Sequence, residues 1–189
     1  MKHAASQELY AYWQQRRGER PAPERAEIEP GPIRQVLGDV FILALDGRAG
    51  HPFRLAGTRV CALFGRELKG ERFVELWTSA SQPVVSDLLT ALEDEQVGTV
   101  AGVTGQTANG GCIELELLLL PLAAARSNLA RTIGILAPFA TPPWLAANSI
   151  GSLTMGPRRH IGASIERRRL PRFLAPRQRR LIVVEGDRA

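Results

Sequence analysis

The first residues place apolar side chains at helical spacing. Leu9, Tyr12 and Trp13, with Arg16, share one face of a helix predicted over residues 4–18, and Ser6 is its candidate N-cap. Two large aromatics on a short terminal helix must pack on something, either the domain's own sheet or a second copy of the chain. Gly18 ends this helix, and Pro21 and Pro23 impose an extended link. A short helix follows over residues 32–37, with Pro32 in its first turn and Ile33, Val36 and Leu37 on one face.

From residue 40 the period changes to that of strands. Residues 40–45 and 52–56 predict a hairpin, with Asp46-Gly47 and His51 in its loop. Gly57 frees the backbone at a strand-to-helix corner, and Thr58 caps a helix running to Phe64 and closed by Gly65. Residues 73–77 form a short apolar segment. A longer helix over 82–96 carries Pro83 in its first turn and a stripe of Val85, Leu88, Leu89 and Leu92. Glu93, Asp94 and Glu95 oppose the dipole of its last turn, so that end faces solvent. A strand over 99–106 and the turn Asn109-Gly110-Gly111 lead to a strand in which Ile113, Leu115, Leu117 and Leu119 alternate with Glu114 and Glu116. That strand reads as having one buried face and one face that begins wet. Asn128 lies in a loop, and the last strand covers 132–139, stopped by Pro138, Pro142 and Pro143. The expected architecture is α+β: a five-stranded antiparallel sheet with helices on one face, preceded by an N-terminal helix. Residues 1–30 are the helix and linker, 31–145 the domain, and 146–189 a basic, flexible tail.

Charge supports that division. Residues 1–150 hold 14 Lys and Arg against 16 Asp and Glu, whereas residues 151–189 hold ten Arg against three acidic residues. The basic positions are Arg158, Arg159, Arg167, Arg168, Arg169, Arg172, Arg177, Arg179 and Arg180. Arginine suits phosphate contacts, so three roles stay open for the tail: a docking arm, a nucleic-acid or anionic-nucleotide site, or a membrane-surface contact. The longest apolar run, about nine residues from Leu117, falls short of the twenty a membrane helix needs. No hydrophobic leader precedes residue 10, so a cytoplasmic location is expected.

Candidate chemistry is sparse. The two cysteines, Cys61 and Cys112, make no disulfide framework, and His3, His51 and His160 lie far apart, so no metal site is expected. Cys61 sits among Val60, Ala62, Leu63 and Phe64 as a core thiol, and Cys112 follows a turn glycine. Phosphate-cradling glycine motifs do not occur. No catalytic residue is assigned, and an enzyme is not expected.

The segments Tyr12-Trp13-Gln14-Gln15-Arg16-Arg17-Gly18 and Pro23-Glu24-Arg25-Ala26-Glu27-Ile28-Glu29-Pro30 carry a resemblance, continued in Phe53-Arg54-Leu55-Ala56-Gly57-Thr58, Phe64-Gly65-Arg66-Glu67-Leu68-Lys69-Gly70 and Trp77. In this order they resemble a PAS-like domain family of alphaproteobacterial regulatory proteins, over roughly residues 6–140. The resemblance implies a PAS fold and a non-catalytic sensory or regulatory role in bacterial signal transduction, through small-molecule binding or protein–protein contact. A protein-interaction adaptor without ligand, and a nucleic-acid-binding regulator acting through the tail, are the alternatives. Some PAS domains hold haem through a histidine on the long helix, and photosensing ones bind flavin through a cysteine in an Asn-Cys-Arg-Phe-Leu motif. Residues 82–96 contain no histidine, and Cys61 lies in a different context, so neither cofactor is expected.

The interior between sheet and helices is either a filled core or an apolar pocket for an unidentified small molecule. Leu43, Leu55, Phe64, Phe73, Trp77, Leu88, Leu117 and Ile135 are its candidate lining. Arg54 either pairs with a carboxylate such as Glu67 or Glu27 or holds an anionic ligand. PAS domains often dimerise through a flanking helix, which implies a homodimer with Leu9, Tyr12 and Trp13 at its interface and a separate signalling protein as partner.

Overall fold

A computed structural model describes residues 1–123, 130–142 and 148–161. The elements are α1 (Ala4–Arg17), β1 (Val40–Ala44), β2 (Phe53–Ala56), α2 (Thr58–Phe64), α3 (Gln82–Glu95), β3 (Gly98–Thr107), β4 (Cys112–Leu122), β5 (Arg131–Pro138) and β6 (Ile150–Ile161), with short 3-10 turns between them. The strands form one antiparallel sheet in the order β2-β1-β5-β4-β3-β6. Among the described residues no helix is long and apolar enough to cross a membrane.

The sheet therefore has six strands, not five. The sixth comes from a segment whose Gly, Pro and Arg content reads as tail. Its tolerance of Pro157 has a local cause. The β3–β6 register shifts between Ala101 and Val103, where an unpaired position relieves proline of donating to the ladder. The first half of β6 is buried through Ile150 and Leu153 and held on its far side as well. Thr78 donates its N–H to the Leu153 carbonyl at 2.9 Å, and the Met155 N–H reaches Ser81 Oγ at 3.0 Å.

Helices cover both faces of the sheet, a second departure from expectation. On the inner face, Phe41, Leu43, Leu115, Leu117, Leu119 and Leu136 pack with α2 and α3 in one apolar cluster. On the outer face, Val40, Ile42, Leu118, Leu120, Ile133 and Ile135 pack under α1. Both layers follow from β4, which is apolar at consecutive positions from Leu117 to Leu120 and so must be covered twice.

α1 starts at Ala4, as the sequence predicts, but with a different cap. His3, not Ser6, is the N-cap; its Nδ1 accepts the Ala5 N–H at 3.2 Å, and Ser6 is buried within the first turn. At the β2–α2 corner Thr58 is helical and caps nothing with its side chain. Gly57 has an ordinary φ of −69°, so conformational freedom is not its role. A side chain there would collide with the carbonyl oxygens of Leu37 and Gly38. The same corner is clamped by Arg59, whose Nε and Nη2 donate to Asp39 Oδ1 and Oδ2 at 2.8 and 2.7 Å.

The loop from β1 to β2 buries His51 at a positive φ of 54°. Its N–H donates to the Asp46 carbonyl, its carbonyl accepts the Phe73 N–H, and Nδ1 has no partner. Burial lowers the imidazole pKa from 6.5, against the smaller opposing pull of the Asp46 charge. A folded-state value below the unfolded one means that the unfolded chain binds the proton more readily. The contribution of His51 is thus complete above about pH 6.5 and is lost as pH falls from there through the depressed folded value.

Two outcomes follow from this architecture. Trp13→Ala removes a fully buried ring from the outer layer and lowers stability by about 3–5 kcal/mol in urea unfolding; a loss below about 1 kcal/mol is incompatible with α1 being part of the core. Wild type loses thermal stability between pH 7 and 5 more steeply than His51→Asn, asparagine being tolerant of positive φ; parallel pH profiles contradict the assignment to His51.

Candidate functional site

The inner layer brings most of the expected pocket residues together and fills the space with rings. Phe73, from the turn before α3, is the hub. Its ring lies 5.6 Å from Phe41 in a stacked arrangement, 5.6 Å from Phe53 edge-on and 5.7 Å from Trp77 edge-on. Leu43, Phe64 and Leu117 belong to the same cluster, and Leu88 is buried on α3 without joining it. Such ring pairs contribute about 0.5–1.5 kcal/mol each beyond their area burial. One polar atom stands out inside this apolar layer: the Trp77 indole Nε1 is buried without a partner.

Three expected lining residues lie elsewhere. Ile135 pairs with Leu118 and faces α1 on the outer side; its neighbour Leu136 is the inner residue of β5. Leu55 is 42% exposed. A register shift between Ile42 and Leu43 pairs it with Ile42, an outer-face position, on the edge strand β2. Arg54 is exposed on that edge. The carboxylates proposed for it are engaged elsewhere: Glu27 receives Arg20 Nη1 and Nη2 at 2.9 and 2.8 Å, and Glu67 receives the Lys69 N–H at 3.1 Å. The arginine that does hold a buried carboxylate is Arg59 with Asp39, a pair twenty residues apart that no local pattern marks.

The thiols and acids are arranged for structure. Cys61 is half-buried on α2, with Sγ 3.6 Å from Glu67 Oε1. Burial raises its pKa, and the nearby Glu67 and Glu71 charges raise it further against a backbone hydrogen bond from Leu68, so the thiol stays protonated and weakly nucleophilic. Cys112 is exposed. Glu116, expected on a wet face, is only 4% exposed. It accepts the backbone N–H groups of Lys2 at 2.6 Å and His3 at 3.0 Å, so the carboxylate sits at the positive end of α1. Among the described residues no group of three His, Cys, Asp or Glu side chains could hold a metal ion. Nor do these residues fit haem held from α3 or covalent flavin, given the α3 sequence and the protonated Cys61 beside a carboxylate.

The outer helix contradicts the expected interface. Leu9, Tyr12 and Trp13 are buried against the protomer's own sheet and linker. Trp13 Nε1 donates to the Pro121 carbonyl at 2.8 Å; the Tyr12 hydroxyl accepts the Glu29 N–H at 2.8 Å and donates to the Glu27 carbonyl at 3.2 Å. Tyr10, the third aromatic of α1, is half-buried and stacks on Trp13 at 6.2 Å. Of the basic positions, Arg158 and Arg159 are exposed on β6. Arg167, Arg168, Arg169, Arg172, Arg177, Arg179 and Arg180, with Asn128 and Pro143, lie outside the described residues.

This architecture has relatives. Solved structures similar to it include a light-oxygen-voltage domain studied with a flavin analogue, at 13% identity and a TM-score of 0.45 over 61% of this chain and 85% of that one. A light-oxygen-voltage protein of Rhodobacter sphaeroides aligns at 14% identity and a TM-score of 0.43, over 58% of this chain and 66% of that one. The PAS domain of an HTR-like protein from Haloarcula marismortui aligns at 16% identity and a TM-score of 0.42, over 56% and 88%. No curated protein matches the sequence. A family model described as PAS domain matches residues 1–137, from α1 to β5, and on that match this chain belongs to the PAS domain family.

Proposed function

We propose that this chain is a non-catalytic regulatory module of the PAS type that passes its signal to a separate protein by contact. The observation that carries this reading is the inner layer, where Phe41, Phe53, Phe73 and Trp77 interlock between sheet and helices. A guest in this layer would have to displace these packed rings. The assignment as non-catalytic draws on other residues: Cys61 is held protonated, and the buried carboxylates Asp39 and Glu116 are bonded to Arg59 and to the start of α1.

One observation favours a second reading, a small-molecule sensor. The unpaired Trp77 Nε1 offers a single hydrogen-bond donor inside the inner layer. Native mass spectrometry of the purified full chain, followed by denaturing mass spectrometry of the same sample, separates the two. Contact signalling predicts that native and denatured masses agree per chain. A small-molecule excess that disappears on denaturation, and is missing from Trp77→Phe, overturns contact signalling in favour of the sensor. The same spectra read the proposed homodimer; with α1 committed to its own sheet, a dimer mass is expected to persist in Tyr12→Phe.

A further inference from the structure

A concavity lies on the outer face, across the sheet from the ring cluster. It is an open cleft of about 380 Å³ between the start of α1, the surface of β3 and β4, and the second half of β6. Its volume falls in the range of roughly 300–1,000 Å³ typical of small-ligand sites. Gly102 forms the floor. It stands opposite Glu116 in the β3–β4 register and beside the β6 register shift. A Cβ at Gly102 would meet nothing nearer than Pro157 at 3.9 Å, so the missing side chain is what leaves the hollow open. Phe139, 47% exposed, supplies an apolar wall.

The rim carries Lys2, Arg158 and Arg159, all exposed, and two carboxylates. Both carboxylates are engaged: Glu116 by the Lys2 and His3 N–H groups, and Glu114 Oε1 by Thr104 Oγ1 at 3.0 Å. Arg159 pairs with Val100 and shares its outer face, whereas Arg158 pairs with Ala101 of the inner face. An apolar wall beside the Arg159 guanidinium and the Lys2 ammonium suits a ligand with an apolar body and one anionic head, because arginine binds carboxylate, sulfonate or phosphate oxygens through paired N–H donors. We propose that this cleft binds a small amphipathic anion, its ring or short chain on Phe139 and Gly102 and its charged head on Arg159 and Lys2. The proposal stands apart from the regulatory reading, which concerns the opposite face.

The probe is 1-anilinonaphthalene-8-sulfonate, titrated by fluorescence into the full chain at pH 7.5. Saturable binding of one probe per chain is expected, weakening as salt rises. Gly102→Leu fills the hollow and weakens binding tenfold or more at unchanged thermal stability. Arg159→Gln, which alters an exposed side chain alone, weakens binding tenfold and flattens the salt dependence. Absence of saturable binding overturns the proposal. So does binding unchanged by Arg159→Gln, and so does binding weakened by Trp77→Phe but not by a folded Gly102→Leu, which places the probe in the inner layer.

Discussion

β4 is apolar on both of its faces where it crosses the middle of the sheet, and this double demand shapes the molecule. Leu115, Leu117 and Leu119 turn inward, and Leu118, Leu120 and Leu122 turn outward. Leaving an outward leucine in water would forfeit about 1.5–3 kcal/mol. A second layer is therefore obligatory, and α1 supplies it. The linker after α1 is bound in the same way: Tyr12 holds the backbone of Glu27 and Glu29, and the Ala123 N–H, just past β4, donates to the Pro23 carbonyl at 2.9 Å. Residues 1–30 are thus part of the domain rather than an appendage.

Where the outer face stops being apolar, the helix begins. Along β4 the outward positions change from Leu118 to Glu116 and Glu114, and α1 starts over Glu116. A buried carboxylate is tolerated there because two backbone N–H groups and the helix dipole compensate its lost hydration. The helix does not extend past this point, so the sheet beyond it, floored by Gly102, remains uncovered. Cover and cleft are two consequences of one change in side-chain type along a single strand.

The sequence made the regular elements legible and hid the pairings between them. The helical stripe on α3 and the alternation on β4 predict both elements closely, because each depends on residues near in the chain. Strand parity was harder. Ile135 and Leu136 are equally apolar, and which one turns inward depends on the β4–β5 register. The outward leucines of β4 did signal a second layer, and the alternation with Glu114 and Glu116 masked it. Gly57 misled: it matters for what lies beside it, not for its own backbone angles, and neighbours across a fold leave no local trace. β6 was unreadable for the same reason, its proline acceptable because it falls at a register shift on the sheet's edge.

β6 reaches both surfaces that bear on function. Its first half contributes Ile150 and Leu153 to the inner cluster and is bonded to Thr78 and Ser81, directly after Trp77. Its second half carries Pro157 and Arg159 into the outer cleft. Coupling between the two faces requires a ligand or partner that binds two positions of this strand with different affinity, since equal affinity shifts nothing. The bond from Met155 to Ser81 lies next to the point where one half gives way to the other, and Gly156 packs against the Gly102 carbonyl, where a Cβ would sit 2.8 Å away. Contacts that close leave the strand little freedom to slide there without breaking its register, so movement at the cleft would have to be felt at Ser81 and the start of α3.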